Sequence, residues 1–422
     1  MRLGPRHYCE ILGMLAVLAG CGGCLRSTRP QSAGENPVEL PEIARGSIEA
    51  NLRGLPALPQ RDGIPSLELP PSPSYRALTP TQCQCLAVNA AVPARMQDEE
   101  GGLVRRQRGA ELRRAVLSYT ATEIRNRSAG SALEIFYHLA EAEGKADLLA
   151  QGIVELERAV RQTKEMTDQK LKPTVALDIW MRQLLTTQGD RVQADMTIAQ
   201  LNGELKRLLG LTDCGDGWRI WNPESYTVED SAIDVEAAVA EGLARRPELL
   251  LLRLVRQELS AGNLPAAREL LSSVHPLLGL APHPGIQMIE NVLAILRIPI
   301  GNQAELEARR RQIDDYLRQR EAAVADEVRQ AAAGVRYRAR LVALAWAREQ
   351  SWQEKVREVQ GRQKQGLASF AETTQASLEL LKVRAEVIQE VMAWEISWVK
   401  LRQAKGLLAA ECLADSGPTH CR

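Results

Sequence analysis

The chain has 422 residues, enough for two or three ordinary domains or one elongated one, and its 53 Lys plus Arg balance 53 Asp plus Glu. Zero net charge argues against a nucleic-acid binder, which needs a basic face to neutralise phosphates. With 7 Trp, 7 Tyr and 2 Phe, aromatics are few, and Ala, Leu, Glu, Arg and Gln dominate from about residue 100, a composition of helices rather than strands.

The chain opens MRLGPRHYCEILGMLAVLAGCGGC. Arg2 and Arg6 form a basic start, and Ile11 to Ala19 is an apolar run too short to span a bilayer, which takes about 20 residues. Leu18-Ala19-Gly20-Cys21 resembles a bacterial lipobox, in which the signal peptidase cuts before a cysteine whose thiol carries diacylglycerol. The other reading is an ordinary secretory signal, and both export the chain. On the lipobox reading residues 1–20 are removed and Cys21 becomes a lipid anchor. Residues 21–80 are rich in Pro, Gly and Ser and read as an extended tether.

A helical pattern starts near Thr81 and pauses at Pro93. Long charged helix follows over about 104–126 and 131–169, Pro173 interrupts, and helix resumes over 175–209 until Gly210 closes it. Residues 212–231 read as a loop with a short strand around Trp218 to Trp221. A second helical block begins at AIDVEAAVAEGLARRPELL, residues 304–365 read as one helix, and Gly366 separates it from a last helix of about forty residues. Leu367, Phe370, Leu378, Leu381, Ala385, Ile388, Met392 and Val399 form one apolar stripe there, narrow enough for helices packed side by side. Trp346, Trp352, Trp394 and Trp398 fall on this helix pair as packing residues.

The cysteines show C-x-x-C at 21–24 and C-x-C at 83–85, but no second pair or paired histidines complete a zinc site. In an exported chain Cys214 could pair with Cys412 or Cys421, which spacing does not decide. His7, His138, His275, His283 and His420 are scattered, and no nucleophile elbow, phosphate loop or zinc motif occurs, so the reading is a non-enzyme without cofactor.

The chain repeats itself. KLKPTVALDIWMRQLL ending in NGELKRLLG aligns with GLASFAETTQASLELL ending in WVKLRQAKG, and Lys170 to Gly210 and Gly366 to Gly406 are each 40 residues. Upstream, LAVNAAVPAR aligns with EGLARRPELL through Pro93 and Pro247. Pro93 to Lys170 is 77 residues and Pro247 to Gly366 is 119, so copy one lacks about 42 residues. These belong near 274–300, where two short apolar runs, about 274–282 and 291–299, read as strands.

These motifs resemble the TolC-type outer-membrane efflux proteins, in which each repeat starts with A-L-x-x-R-P-[DE]-L. GLARRPEL, with Arg246 and Pro247, matches it with Gly242 in place of the Ala, HPLLGL and RIPIGN approximate the strand motifs, and GLAS matches the turn between two long helices, of which KLKP is a degraded form. LRQAKG and LKRLLG match the helix end L-x-x-x-x-G through Gly406 and Gly210. The resemblance spans about 80–406. It implies a mainly α fold of two repeats of long antiparallel helices, 81–231 and 232–409, with a short tail at 410–422. It further implies three chains closing a helical barrel continuous with an outer-membrane β-barrel, through which small molecules leave. A periplasmic adaptor and an inner-membrane pump would dock at the tip turns, here Lys170 to Pro173 and Gly366, Leu367 and Ser369. Glu372 takes the family's acidic place after the turn, and copy one has Ala176 there with Asp178 two residues on.

One departure bears on function. Membrane strands take about 9–11 residues and the smallest barrels eight strands. Copy one has no hairpin between Arg95 and Asp168, so three chains would supply six strands. A lipid-anchored periplasmic helical scaffold that has lost its pore is the competing reading.

Overall fold

The computed structural model describes residues 74–104, 110–211, 217–223, 226, 228, 233–260, 264 and 303–413, all within one compact unit, Ser47–Arg422. Cys21, most of the tether, Cys214, Cys421 and the strands expected over 274–300 lie outside the described residues. In chain order the elements are β1 (Ser74–Ala77), α1 (Pro80–Ala90), α2 (Val92–Leu103), α3 (Ala110–Asp168), α4 (Leu177–Leu208), β2 (Trp218–Trp221), α5 (Val235–Arg245), α6 (Pro247–Glu258), α7 (Gln303–Lys364), α8 (Phe370–Ala404) and α9 (Leu408–Leu413). The fold is mainly α, as the composition predicts.

Four helices form a wall in the order α4, α3, α8, α7, each antiparallel to its neighbour. Arg191 of α4 donates to the Ala146 carbonyl of α3. Asn126 of α3 donates to the Gln403 carbonyl of α8 at 3.1 Å, while nearer the tips Lys145 donates to Gln389 at 2.9 Å. Between α7 and α8, Arg338 meets Glu390 at 2.9 Å and Arg384 meets Glu349 at 3.1 Å. The helices α3 and α7, with 59 and 62 residues, are each about 90 Å long at 1.5 Å per residue. The helices α4 and α8, with 32 and 35 residues, are little more than half that. Above the end of α8 the wall is completed by α6, which lies between α3 and α7. Its Arg253 meets Glu321 of α7 at 2.7 Å, and its Pro247, Glu248 and Leu251 face Tyr119 to Arg127 of α3 across a cleft of about 270 Å³. On the other side α2 packs on α3, with Arg125 paired to Asp98.

The four ends of the 40-residue intervals share one backbone conformation. Lys170, Gly210, Gly366 and Gly406 have φ of 58°, 68°, 70° and 73°. In each, that residue's N–H reaches back three residues and the next N–H reaches back five, as in Gly366 to Gln363 and Leu367 to Arg362. This is the Schellman helix stop, and the next residue is leucine every time: Leu171, Leu211, Leu367 and Leu407. Lys170 is the described non-glycine residue with positive φ, where a Cβ is strained.

Four sequence expectations are corrected. The break at 126–131 is absent, and α3 runs through Gly130, where a Cβ would lie 2.5 Å from Gln403 Oε1, so close packing keeps a residue that disfavours helix. The tether ends early, because Ser74–Ala77 pairs in parallel with Trp218–Trp221 and Thr79 caps α1 in a capping box with Gln82. Asn202 fixes this pair to α4, accepting from Ile220 N–H at 2.9 Å, and Trp218 lies between Arg76 and Lys206 at 4.5 and 4.1 Å. Cys412 bonds to Cys85, 327 residues away, rather than to Cys214, which ties α9 to α1. Finally, α8 is no narrow seam. Flanked by α3 and α7, it buries Val383, Val387, Val391 and Trp394 besides Leu378, Ile388, Met392 and Val399 of the expected stripe, while Leu367 is exposed on the turn.

Candidate functional site

The two tip turns lie at the same end of the wall. Leu156 and Ala159 of α3, Trp180 and Leu184 of α4 and Leu378 of α8 form one buried cluster just behind them, with Phe370 packed against it. Each turn exposes its stop leucine, Leu171 beside Lys170 and Lys172, and Leu367 near Lys364. The turn at Gly366 is the better built. Ser369 caps α8, with Glu372 N–H on Ser369 Oγ at 3.2 Å and Ser369 N–H on Glu372 Oε1 at 3.4 Å. Thr373 Oγ1 reaches across to Gln363 at 3.0 Å. Glu372 is thereby engaged in holding the helix start. In the other turn Ala176 stands at the cap without a side-chain acceptor, Asp178 pairs with Arg182 at 2.9 Å, and Pro173 lies between the turn and α4.

At the opposite end Arg246 is the keystone of the Arg-Pro motif. Its buried guanidinium donates to the Ala404 carbonyl at 3.3 Å, at the end of α8, and meets Glu248 at 2.6 Å and Glu327 at 2.9 Å. Pro247 opens α6, where its missing N–H costs nothing. Gly406 lies where a Cβ would come within 3.3 Å of the Arg245 carbonyl, and Gly210 likewise within 3.2 Å of Ala90 in copy one. Each return helix thus closes on the proline turn of its own repeat. Sequence reasoning found Arg246 but not Glu123, which lines the cleft under Glu248. Burial, and then the Glu248 charge, raise the Glu123 pKa against the pull of Arg127 and Arg246. Burial also works against ionised Glu248, but Arg246 and Arg320 outweigh it and lower its pKa.

The wall has two open edges, and its exposed large apolar residues gather there. Met181, Leu185, Val192 and Met196 lie on α4, Val92, Met96 and Leu103 on α2, and Tyr337, Leu341 and Leu344 on α7. The inner helix α8 has none among the described residues, and α3 has Val154. No described helix is long and apolar enough to cross a membrane, and no described group of three or more His, Cys, Asp or Glu is placed to hold a metal.

No protein-family model matches the chain, and no curated protein matches it in sequence. The fold does match solved structures. The CmeC outer membrane channel of Campylobacter jejuni superposes with a TM-score of 0.56 at 11% identity, over 80% of this chain and 88% of that one. The open state of the MtrE outer membrane channel of Neisseria gonorrhoeae gives 0.52 at 11% identity, over 78% and 89%. The outer membrane protein VceC of Vibrio cholerae gives 0.50 at 10% identity, over 78% and 93%. With its two repeats, paired tip turns and four-helix wall, the chain has the fold of the TolC-type outer-membrane channels.

Proposed function

We propose that three copies of this chain close into a helical tunnel that exports small molecules as the outer-membrane part of a tripartite system. One observation carries the reading: the wall is open, and both of its edges carry exposed apolar residues. Exposed apolar stripes of this extent mark contact surfaces. Edge-to-edge joining of copies continues the antiparallel alternation, so the contact is head-to-tail and closes as a ring. The tunnel is lipid-anchored through Cys21, with most of the chain in the periplasm. The exposed Leu171 and Leu367 on the tips, flanked by lysines, receive a periplasmic adaptor and, through it, an inner-membrane pump. The solved relatives of this fold are named as outer membrane channels, which supports the same setting here.

A second reading has its own support. Six residues, 104–109, join α2 to α3, whereas 44, 259–302, join α6 to α7. Six residues cannot hold two membrane strands of about 9–11 residues each. A ring of three would then have one hairpin per copy, and the assembly would be a lipid-anchored helical scaffold without its own membrane pore. Conductance separates the two. The lipidated chain in a planar bilayer gives discrete conductance steps if it is a channel, and none, with the ring intact, if it is a scaffold.

A further inference from the structure

The cleft between α3 and α6 opens on a face of the wall that no other described element covers. The opposite face of α3 lies under α1 and the β1–β2 pair. There Cys83 Sγ donates to the Ala132 carbonyl, Phe136 is buried with Cys83 and Trp218, and Tyr75 and Arg219 reach Glu143 at 3.3 and 3.4 Å. His138, about 160° round the helix from Phe136, has half of its side chain exposed. Arg127 and Thr120 fall on the same line of the helix as His138, about three and five turns before it, and both line the cleft. The cleft therefore faces away from α1 and the β1–β2 pair. In the ring proposed above this is the inner face, since those elements, turned inward from three copies, would fill the tunnel.

The lining divides by chemistry. Tyr119, Ile124, Pro247 and Leu251 give an apolar and aromatic wall, while α3 contributes Glu123 and α6 contributes Glu248. Each carboxylate gives one oxygen to arginine. Glu123 Oε1 accepts from Arg127 at 2.6 Å, and Glu248 Oε1 accepts from Arg246 at 2.7 Å and from Arg320 at 3.1 Å. The second oxygen of each, Oε2, is buried with no hydrogen-bond partner among the described residues. Buried acceptors left unpaired are costly, and two of them on one cleft call for a donor. The neighbouring cations are already engaged: Arg127 with Glu123, Arg246 with Glu248, Glu327 and the Ala404 carbonyl, and Arg320 with Glu248 and Glu327. What complements this lining is a cation with N–H donors and an apolar body. The volume of about 270 Å³ suits a small one.

We infer that the cleft binds small organic ammonium ions, with the ammonium group held by Glu123 and Glu248 and the hydrocarbon part by Tyr119, Ile124 and Leu251. Resting on the tunnel reading, the site selects cations in the wall that exported molecules pass. It also couples binding to protons. Burial and then the Glu248 charge hold the Glu123 pKa up, against Arg127 and Arg246. The groups that face Glu123 are Tyr119 and Arg127 on α3 and Arg246 and Glu248 at the start of α6, with Arg320 and Glu327 of α7 behind Glu248. An ammonium ion favours ionised Glu123. Below the raised value a proton therefore leaves as the ligand enters, and affinity rises with pH up to that value and levels off above it.

Calorimetric titration of the full lipidated chain in mild detergent tests the site with three probes of similar shape: 2-phenylethylamine, 2-phenylethanol and 3-phenylpropionate. The amine should bind once per chain, and the alcohol and the acid at least about tenfold more weakly. Glu123→Gln should weaken amine binding by at least about tenfold and remove its pH dependence. Leu251→Trp, which keeps both carboxylates and fills the cleft, should abolish binding. Melting curves confirm that each variant is folded. An amine that does not bind, three probes that bind alike, or amine binding that survives both variants would overturn the site. Light scattering on the same samples keeps the two levels of the claim apart. Specific amine binding by a monomeric chain would uphold the cleft and remove it from a tunnel, whereas a ring of three that binds no amine would overturn the cleft and leave the tunnel standing.

Discussion

The glycine at the tip supports a prediction in which one substitution changes sign over five residues. Gly361 is helical, within α7, and a Cβ built there meets nothing within 4 Å. Gly366 is equally open but has φ of 70°. At Gly361 alanine should stabilise the helix by about 0.5–1 kcal/mol, through helix propensity and a less disordered unfolded chain. At Gly366 the left-handed backbone costs an L-residue about 1–2 kcal/mol, of which about 0.4–1 is recovered from the unfolded state, so Gly366→Ala should cost about 1 kcal/mol net. The same sum run backwards makes Lys170→Gly stabilising by about 0.5–1 kcal/mol, since Lys170 holds φ of 58° with a side chain. The amides of Leu367 and Leu171 report the two turns directly, because each closes its helix on a carbonyl five residues back at 2.8 Å. Hydrogen exchange at Leu367 should speed up about three- to fivefold in Gly366→Ala, and exchange at Leu171 should slow by a similar factor in Lys170→Gly. If Gly366→Ala protects Leu367 as well as Gly361→Ala does, the turn is not the left-handed stop described here.

Three further outcomes follow from the packing. Arg246→Ala removes a buried guanidinium that serves the Ala404 carbonyl, Glu248 and Glu327. It should lower unfolding stability in urea by about 3–5 kcal/mol, and a loss under about 1 kcal/mol would deny Arg246 its place as keystone. Replacing both Cys85 and Cys412 with Ser opens a bond with a sequence separation of 327 residues. Chain entropy sets a ceiling of about 6 kcal/mol, and the denaturation midpoint should fall by the equivalent of about 2–5 kcal/mol, matching the reduced wild type. The carboxylates give a pH signature. The raised pKa of Glu123 means that its contribution is fully present below the ordinary value of 4.5 and is lost as pH rises through the raised value. Glu248, lowered, acts in the opposite sense, its contribution being lost as pH falls through the lowered value. Glu123→Gln should therefore flatten the decline in melting temperature above pH 4.5, and an unaltered slope would remove Glu123 as its source.

Much of the architecture was legible in local signals. The helix stops at Gly210, Gly366 and Gly406 show because only glycine takes that conformation cheaply, and Lys170 shows through its interval to Gly210. What was not legible depends on distant chain. The pairing of Ser74–Ala77 with Trp218–Trp221, and of Cys85 with Cys412, is set by packing between segments more than a hundred residues apart. The stretch between 126 and 131 was read as a gap between helices, yet Gly130 there is where Gln403 packs on α3. The apolar stripe of α8 was seen, but its second buried flank, with Val383, Val387 and Val391, was not. The stripe Leu185, Val192 and Met196 of edge helix α4 and Leu381, Ile388 and Met392 of inner helix α8 match in kind, and their order in the wall separates them. Val192 and Met196 are exposed on α4 where Ile388 and Met392 are buried on α8, a difference that no local signal carries.

The central claim is that the open wall closes on copies of itself, and the mass of the assembly tests it most directly. The full lipidated chain, extracted in mild detergent and measured by light scattering with the detergent contribution removed, should have the mass of three protomers and should keep it on dilution. A single protomer mass in that preparation would contradict the account, and the apolar edges of α4 and α7 would then need a different partner.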